Sequence, residues 1–202
     1  MSRAGAGQPH AGTGRSRGRA NREAITAAAA DLFWREGYAS TTLARIATAA
    51  QVPPGNLFYY FRTKAELAQA VADIFVAETD AMLRATEEEE SDPRRRLVAM
   101  VSRLSRSLRS RVAHGCPIGL CVRDFRGEAP QASERAAQSF QLLIGFMARE
   151  LGRAGQRPSI ALTQSRAALA EWQGGIMLAH ALKDASVLAE SFRRMERLLS
   201  SP

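Results

Sequence analysis

The strongest constraint on this chain is a pair of short apolar segments with almost no sequence between them. Residues 42–50 carry Leu43, Ile46 and Ala47 at helical spacing. Asn56-Leu57-Phe58-Tyr59-Tyr60-Phe61 follows after only Gln51-Val52-Pro53-Pro54-Gly55. Helices this short are not stable alone and need a third element behind them. Residues from Asn21 onward supply it. Asn21 serves as a cap, Glu23 sits in the first turn, and Ile25, Ala28, Ala29, Leu32 and Phe33 recur at helical spacing until Gly37 stops the run. Three helices so arranged make a helix-turn-helix, which presents its second short helix to the major groove of DNA. Phe58 and Phe61 are expected in its core.

The rest of the chain repeats the helical period. Thr63 caps the next helix, and Glu66 three residues on completes a capping box. Leu67, Val71, Ile74, Phe75 and Met82 mark its buried stripe, which runs on toward the acidic residues Glu87 to Glu90. Asp92 and Pro93 open another helix with a stripe of Leu97, Val98, Val101, Leu104 and Leu108. His114-Gly115-Cys116-Pro117-Ile118-Gly119 reads as a break. Further helices are expected over about residues 133–154, 160–182 and 185–199. Neither a strand nor an internal repeat is legible. The expected fold is all-α: a disordered basic tail over 1–20, a helix-turn-helix domain over 21–67, and a helical sensing and dimerisation domain over 68–202.

Charge narrows the function. Lys and Arg outnumber Asp and Glu 28 to 20, a net charge of +8, and Arg3, Arg15, Arg17, Arg19 and Arg22 all precede the first acid, Glu23. A positive charge gathered at one end suits a polyanion. The run Arg15-Ser16-Arg17-Gly18-Arg19 is either an inert tail or an arm lying in a minor groove. A purely architectural DNA binder would rest on this tail alone. A membrane partner is not expected, because charges interrupt every apolar run and residues 1–20 hold neither a secretory signal nor an anchor. Two cysteines, Cys116 and Cys121, suggest a reducing cytoplasm and not a disulfide scaffold. Metal and other cofactors are not expected: His114, Cys116 and Cys121 lack zinc-site spacing, with His10 and His180 remote. An enzyme is not expected either, for no phosphate loop, metal-binding helix motif or nucleophile elbow is present.

Gly37-Tyr38, Thr41-Thr42-Leu43-Ala44-Arg45-Ile46-Ala47, the run from Val52 to Phe61, and Thr63-Lys64-Ala65-Glu66-Leu67 together resemble the signature of the TetR family of repressors. The resemblance implies that Thr42 contacts a phosphate. It puts Pro53, Pro54, Gly55 and Asn56 where the recognition helix approaches base edges. Tyr59, Tyr60 and Lys64 fall at phosphate-contacting positions, and Arg45 is a further candidate contact. Gln51 departs from the pattern where glycine is usual and would bear about 1 kcal/mol of strain at positive φ. Pro53 and Pro54 stand where serine and lysine are common, so base reading must lean on Asn56 and van der Waals contact.

The remaining two-thirds must supply a dimer surface and a regulatory pocket. Gly174 and Gly175 are costly inside a helix, and with Leu178 they suggest close approach at a dimer interface. The resemblance implies the same, since the family pairs its last two helices into a four-helix bundle. Gly115-Cys116-Pro117-Ile118-Gly119 resembles the LmrA and YxaF-like branch. Met100, Leu104, Cys116, Phe140, Ile144, Met147 and Trp172 are the candidate ligand-binding residues. The expected function is a ligand-responsive repressor that binds a palindromic double-stranded DNA operator as a homodimer and is released by a small-molecule inducer. The alternative is thiol-based redox or electrophile sensing at Cys116 or Cys121.

Overall fold

The computed structural model describes residues 12–200, with side chains described from residue 16. Among these residues there are ten helices and no strand: α1 Gly12–Glu36, α2 Leu43–Ala49, α3 Pro54–Tyr60, α4 Lys64–Glu89, α5 Pro93–Ser105, α6 Leu108–His114, α7 Pro117–Phe125, α8 Pro130–Arg153, α9 Pro158–Leu182 and α10 Ala185–Ser200. The expected disordered tail is corrected over residues 12–20, which form the opening turns of α1. Ala and Arg are good helix formers, and Arg19 Nε stands 3.7 Å from Glu23 Oε1 one turn on. The part of that tail over residues 1–11 lies outside the described residues.

Local signals set most helix ends. Gly37 adopts φ 85° and its N–H donates to Phe33 O, closing α1. Thr42 Oγ1 accepts from Arg45 N and starts α2. Gln51 does take the left-handed conformation, φ 55°, and the turn is fastened by Val52 N donating to Ala47 O at 3.0 Å. Thr63 Oγ1 accepts from Glu66 N at 3.1 Å, while Glu66 Oε2 reaches back past the cap to accept from Arg62 N at 2.9 Å. The reciprocal arm of the capping box thus lands one residue earlier than the motif prescribes. Asp92 Oδ1 accepts from Arg95 N and Pro93 occupies the first turn of α5.

Two apolar cores result. The first joins α1, α2 and α3 to the start of α4 through Ile25, Phe33, Tyr38, Ile46, Leu57, Phe61 and Leu67. It does not end at residue 67: Val71 and Ala72 of α4, Cys121 and Phe125 of α7, and Ala132 and Ala136 of α8 belong to it. Phe125 stacks edge-on against Phe33 at 5.7 Å and Tyr38 at 5.0 Å. The second core fills the space between α4, α5, α8, α9 and α10 with Leu97, Met100, Leu143, Phe146, Trp172, Ile176, Phe192 and Met195 among others.

Two sequence expectations about burial are corrected. Phe58 is 55% exposed instead of core. On a helix of seven residues only Leu57 and, at its end, Phe61 face inward, and Phe58 sits one step round. Val98 likewise leaves the α5 stripe and is exposed. Leu108 does not continue α5 but begins α6, and the expected break narrows to Gly115 and Cys116. Among the described residues no helix is long and apolar enough to cross a membrane.

Candidate nucleic-acid interface and internal cavity

The turn between α2 and α3 leaves one face of α3 exposed among the described residues. Pro53, Pro54, Gly55 and Asn56 are all exposed, and Tyr59 is 83% exposed. Because Pro53 and Pro54 lack N–H groups, the start of α3 forfeits no donor there. Thr42 and Arg45 are exposed at the start of α2. Arg45 Nη2 pairs with Glu36 Oε1 at 2.6 Å, a solvent-facing contact that a phosphate can replace at little cost. Tyr60 is half-buried; its hydroxyl accepts from Asn21 Nδ2 at 3.4 Å, and its ring meets Tyr59 edge-on at 5.1 Å. Lys64 packs its ammonium 4.1 Å from the Tyr38 ring centroid and donates to Ala39 O at 3.4 Å. Burial lowers the Lys64 pKa, with Glu128 pulling the other way. Arg17, Arg19 and Arg22 are exposed along the first turns of α1, and the Arg22 guanidinium lies 4.9 Å over the Phe61 ring.

A second feature lies inside the other half. A cavity of about 180 Å³ opens between α4, α5, α6, α7, α8 and α9, with Glu78, Thr79, Leu104, Arg111, Ile118 and Trp172 on its wall. Of the seven ligand candidates read from sequence, Leu104 and Trp172 line it. Met100 and Met147 are wholly buried in the surrounding core, and Phe140 and Ile144 are partly buried against that core, outside the lining. Cys116 is buried beside it, where Sγ accepts from Gly119 N at 3.4 Å and caps α7. Arg111 and Glu78 escaped the sequence reading. Arg111 stands at helical spacing after Leu104 and Leu108, and an arginine continuing an apolar stripe was the available signal. Burial raises the Glu78 pKa.

The wall of this cavity is tied to the helix-turn-helix. Trp34 of α1 donates from Nε1 to Gly115 O at 3.1 Å, and its ring meets His114 edge-on at 5.6 Å. Arg111, Gly115, Pro117 and Ile118 belong to one short stretch, so lining residues and the α1 contact share a segment. His180 Nδ1 lies 3.0 Å from Val112 O and secures that segment to α9.

The thiols do not favour redox sensing. Both cysteines are free and buried, and burial pushes the Cys121 thiol up to about 12, with Asp124 and Cys116 adding to the shift. A reactive thiol requires the opposite. The described residues contain no group of three or more His, Cys, Asp or Glu arranged to hold a metal ion.

Gly175 has a role within the subunit. A Cβ placed on it would collide with Ser191 Cβ and Oγ of α10 in the same subunit, so its missing side chain serves the α9–α10 contact. Gly174 has nothing within 4 Å. It shares an outer face of α9 with Met177, 67% exposed, Leu178 and Leu182, 65% exposed.

Comparison with known proteins matches two stretches of the chain. Residues 25–71 match the family described as bacterial regulatory proteins, tetR family, and residues 93–194 match the transcriptional regulator LmrA/YxaF-like C-terminal domain. The HTH-type transcriptional regulator TtgR of Pseudomonas putida is 44% identical over 73 residues, covering 36% of this chain and 35% of that protein. The match thus spans about a third of that curated relative's length. An uncharacterized HTH-type transcriptional regulator in the lacX 3′ region of Lactococcus lactis subsp. lactis is 25% identical over 187 residues, covering 86% of this chain and 90% of that protein. Among solved structures, a TetR transcriptional regulator from Legionella pneumophila superposes with a TM-score of 0.78 at 21% identity, covering 87% of this chain and 95% of that one. One from Chloroflexus aurantiacus gives 0.76 at 22%, covering 92% and 97%. At that identity these likenesses show the fold.

Proposed function

The chain belongs to the TetR family of transcriptional regulators, and from that premise we propose that it is a homodimeric repressor of a palindromic operator, released by a small molecule. Its place is the cytoplasm, where its DNA lies. The observation that carries the reading is the exposed face of α3. Gly55, Asn56 and Tyr59 project from the subunit, Tyr59 touching only the Tyr60 ring among aromatic partners, and Thr42 flanks them. In this reading Asn56 and the backbone at Pro54 and Gly55 approach base edges. Thr42, Arg45, Tyr59, Tyr60 and Lys64 hold phosphates and so fix the register.

The outer face of α9, with Gly174, Met177, Leu178 and Leu182, pairs with the same face of a second subunit. A closed pair of this kind sets the two α3 helices at a fixed spacing to meet successive major grooves. The inducer occupies the cavity beside Arg111 and Trp172. Its binding moves the segment over residues 111–118, which Trp34 ties to α1. Only a difference in its affinity for the two spacings can shift their balance.

The test is binding of the purified protein to the DNA flanking its own gene, against a scrambled duplex of equal length at physiological salt. A preference of about a thousandfold or more for the flanking DNA is expected of a specific operator. Equal, steeply salt-dependent binding to both duplexes would sink the repressor reading in favour of phosphate contacts alone.

A further inference from the structure

The cavity holds a cation that none of the described carboxylates pairs with, Glu78 on the same wall included. Arg111 is 9% exposed, and a guanidinium stays charged in proteins. Its hydrogen bonds go to Ser107 Oγ at 2.7 Å and to Cys116 Sγ at 3.6 Å, a hydroxyl and a weakly accepting sulfur. No described carboxylate is ion-paired with it. Its guanidinium lies 4.8 Å over the Trp172 ring, which offsets part of the desolvation and also fixes the group in place. A buried charge without an opposite charge is strongly unfavourable, so an anion is the missing partner.

A second orphan belongs to the same wall. Trp172 is 1% exposed, and its indole Nε1–H finds no hydrogen-bond acceptor. Unmet buried donors are rare in folded chains and mark places where something else accepts. The unpaired cation requires acceptor oxygens, and the residue with the unmet N–H, Trp172, lines the same cavity. The remaining wall is apolar, with Phe75, Met82, Leu104, Ile118 and Leu143. At about 180 Å³ the space is well below the ~300–1,000 Å³ of sites for drug-sized ligands, which restricts the occupant to one ring. Glu78 adds an acceptor that a ring hydroxyl can donate to.

We propose that the effector is a small one-ring aromatic carboxylate whose carboxylate oxygens accept from the Arg111 guanidinium and the Trp172 indole N–H. The ring lies among the apolar residues of the wall. This assignment rests on reading the cavity as the effector site, and it deepens that reading by naming the chemistry the site selects.

The test compares three probes that share one phenol ring on the whole chain: 4-hydroxybenzoate, its neutral methyl ester, and the cation 4-hydroxybenzylamine. Calorimetry gives the affinities. The two indole N–H resonances of Trp34 and Trp172 report where each probe sits. We expect the acid to bind at least about tenfold more tightly than either comparator, the difference a hydrogen-bonded charge supplies. We also expect the Trp172 resonance to move downfield with the acid and not with the ester. Arg111→Gln should abolish the preference for the acid. Because that variant removes a buried group, the comparison of probes on the unaltered protein decides the matter if the variant fails to fold. Binding of the ester or the amine as tightly as the acid, or no binding with the Trp172 resonance unmoved, overturns the proposal. Operator affinity, measured alongside, separates the two readings. Acid bound with operator affinity unchanged upholds the chemistry of the site and sinks the inducer role. Operator release by the neutral ester alone does the reverse.

Discussion

Gly174 and Gly175 are neighbours of one residue type, and their surroundings give them different roles. A methyl group on Gly175 has no room, because Ser191 of α10 stands against it with its hydroxyl donating to Glu171 O at 2.8 Å. Gly175→Ala is expected to cost about 1–3 kcal/mol in denaturant unfolding, the usual penalty of overpacking. Gly174→Ala meets open space within the subunit and should gain up to ~1 kcal/mol from helix propensity. Equal effects at the two sites would contradict the packing of α9 on α10. Cys121 carries a pH dependence of its own. Its thiol is pushed up to about 12 by burial first, so the folded chain keeps a proton that the unfolded chain releases near ~8.5. Its contribution to stability is therefore complete below the unfolded value and is lost as pH rises toward 12. Unfolding titrations at pH ~8 and pH ~10 should show a larger loss for the native sequence than for Cys121→Ala.

At the scale of helices, one buried carboxylate ties three elements. Glu150 of α8 is wholly buried and is met by Arg153 Nη1 at 2.6 Å, Arg96 Nη1 at 3.1 Å and Arg149 Nε at 3.5 Å. Arg96, from α5, also donates to Glu87 O and Glu90 O, satisfying carbonyls at the C-terminal end of α4 where the helix dipole favours a cation. Removing the charge while keeping the shape, Glu150→Gln, leaves Arg96 without its anion. A loss of about 2–4 kcal/mol is expected in urea unfolding, since breaking a buried pair costs more than the pair contributes. A loss within the ~0–1 kcal/mol of surface ion pairs would show that water reaches this cluster. The α6–α7 junction is the other element-level device: Gly115, at φ 79°, turns the chain, and its carbonyl accepts from Trp34.

For the molecule as a whole, the exposed apolar side chains of α9 are the surface we propose for dimer formation. Met177 and Leu178 are adjacent, Leu182 follows one turn on, and all three are exposed among the described residues. Leu178→Glu puts two like charges across a two-fold contact. Sedimentation should then report a monomer of unchanged helicity that no longer holds a two-half-site operator. A dimer that survives this substitution would move the interface elsewhere. The first helix exposes Arg17, Arg19 and Arg22, and its Asn21 and Arg22 meet Tyr60 and Phe61 at the end of α3.

What the sequence determined was what a few neighbouring residues decide. The α2–turn–α3 unit, the stop at Gly37 and the caps at Thr63 and Asp92 follow from chemistry within one helical turn, and spacing alone reveals them, whereas the strain at Gln51 was legible only through the family resemblance and the cap at Thr42 only in the structure. The tertiary structure decided which side of each helix meets another. Phe58 is apolar, yet it faces out because α3 is too short to bury more than one face. Gly175 serves α10 within the subunit, and Met100 and Met147 fill core while Arg111 and Glu78 line the cavity. These outcomes depend on contacts between residues far apart in the chain. Pockets and cores draw on the same residue types, so only packing separates them.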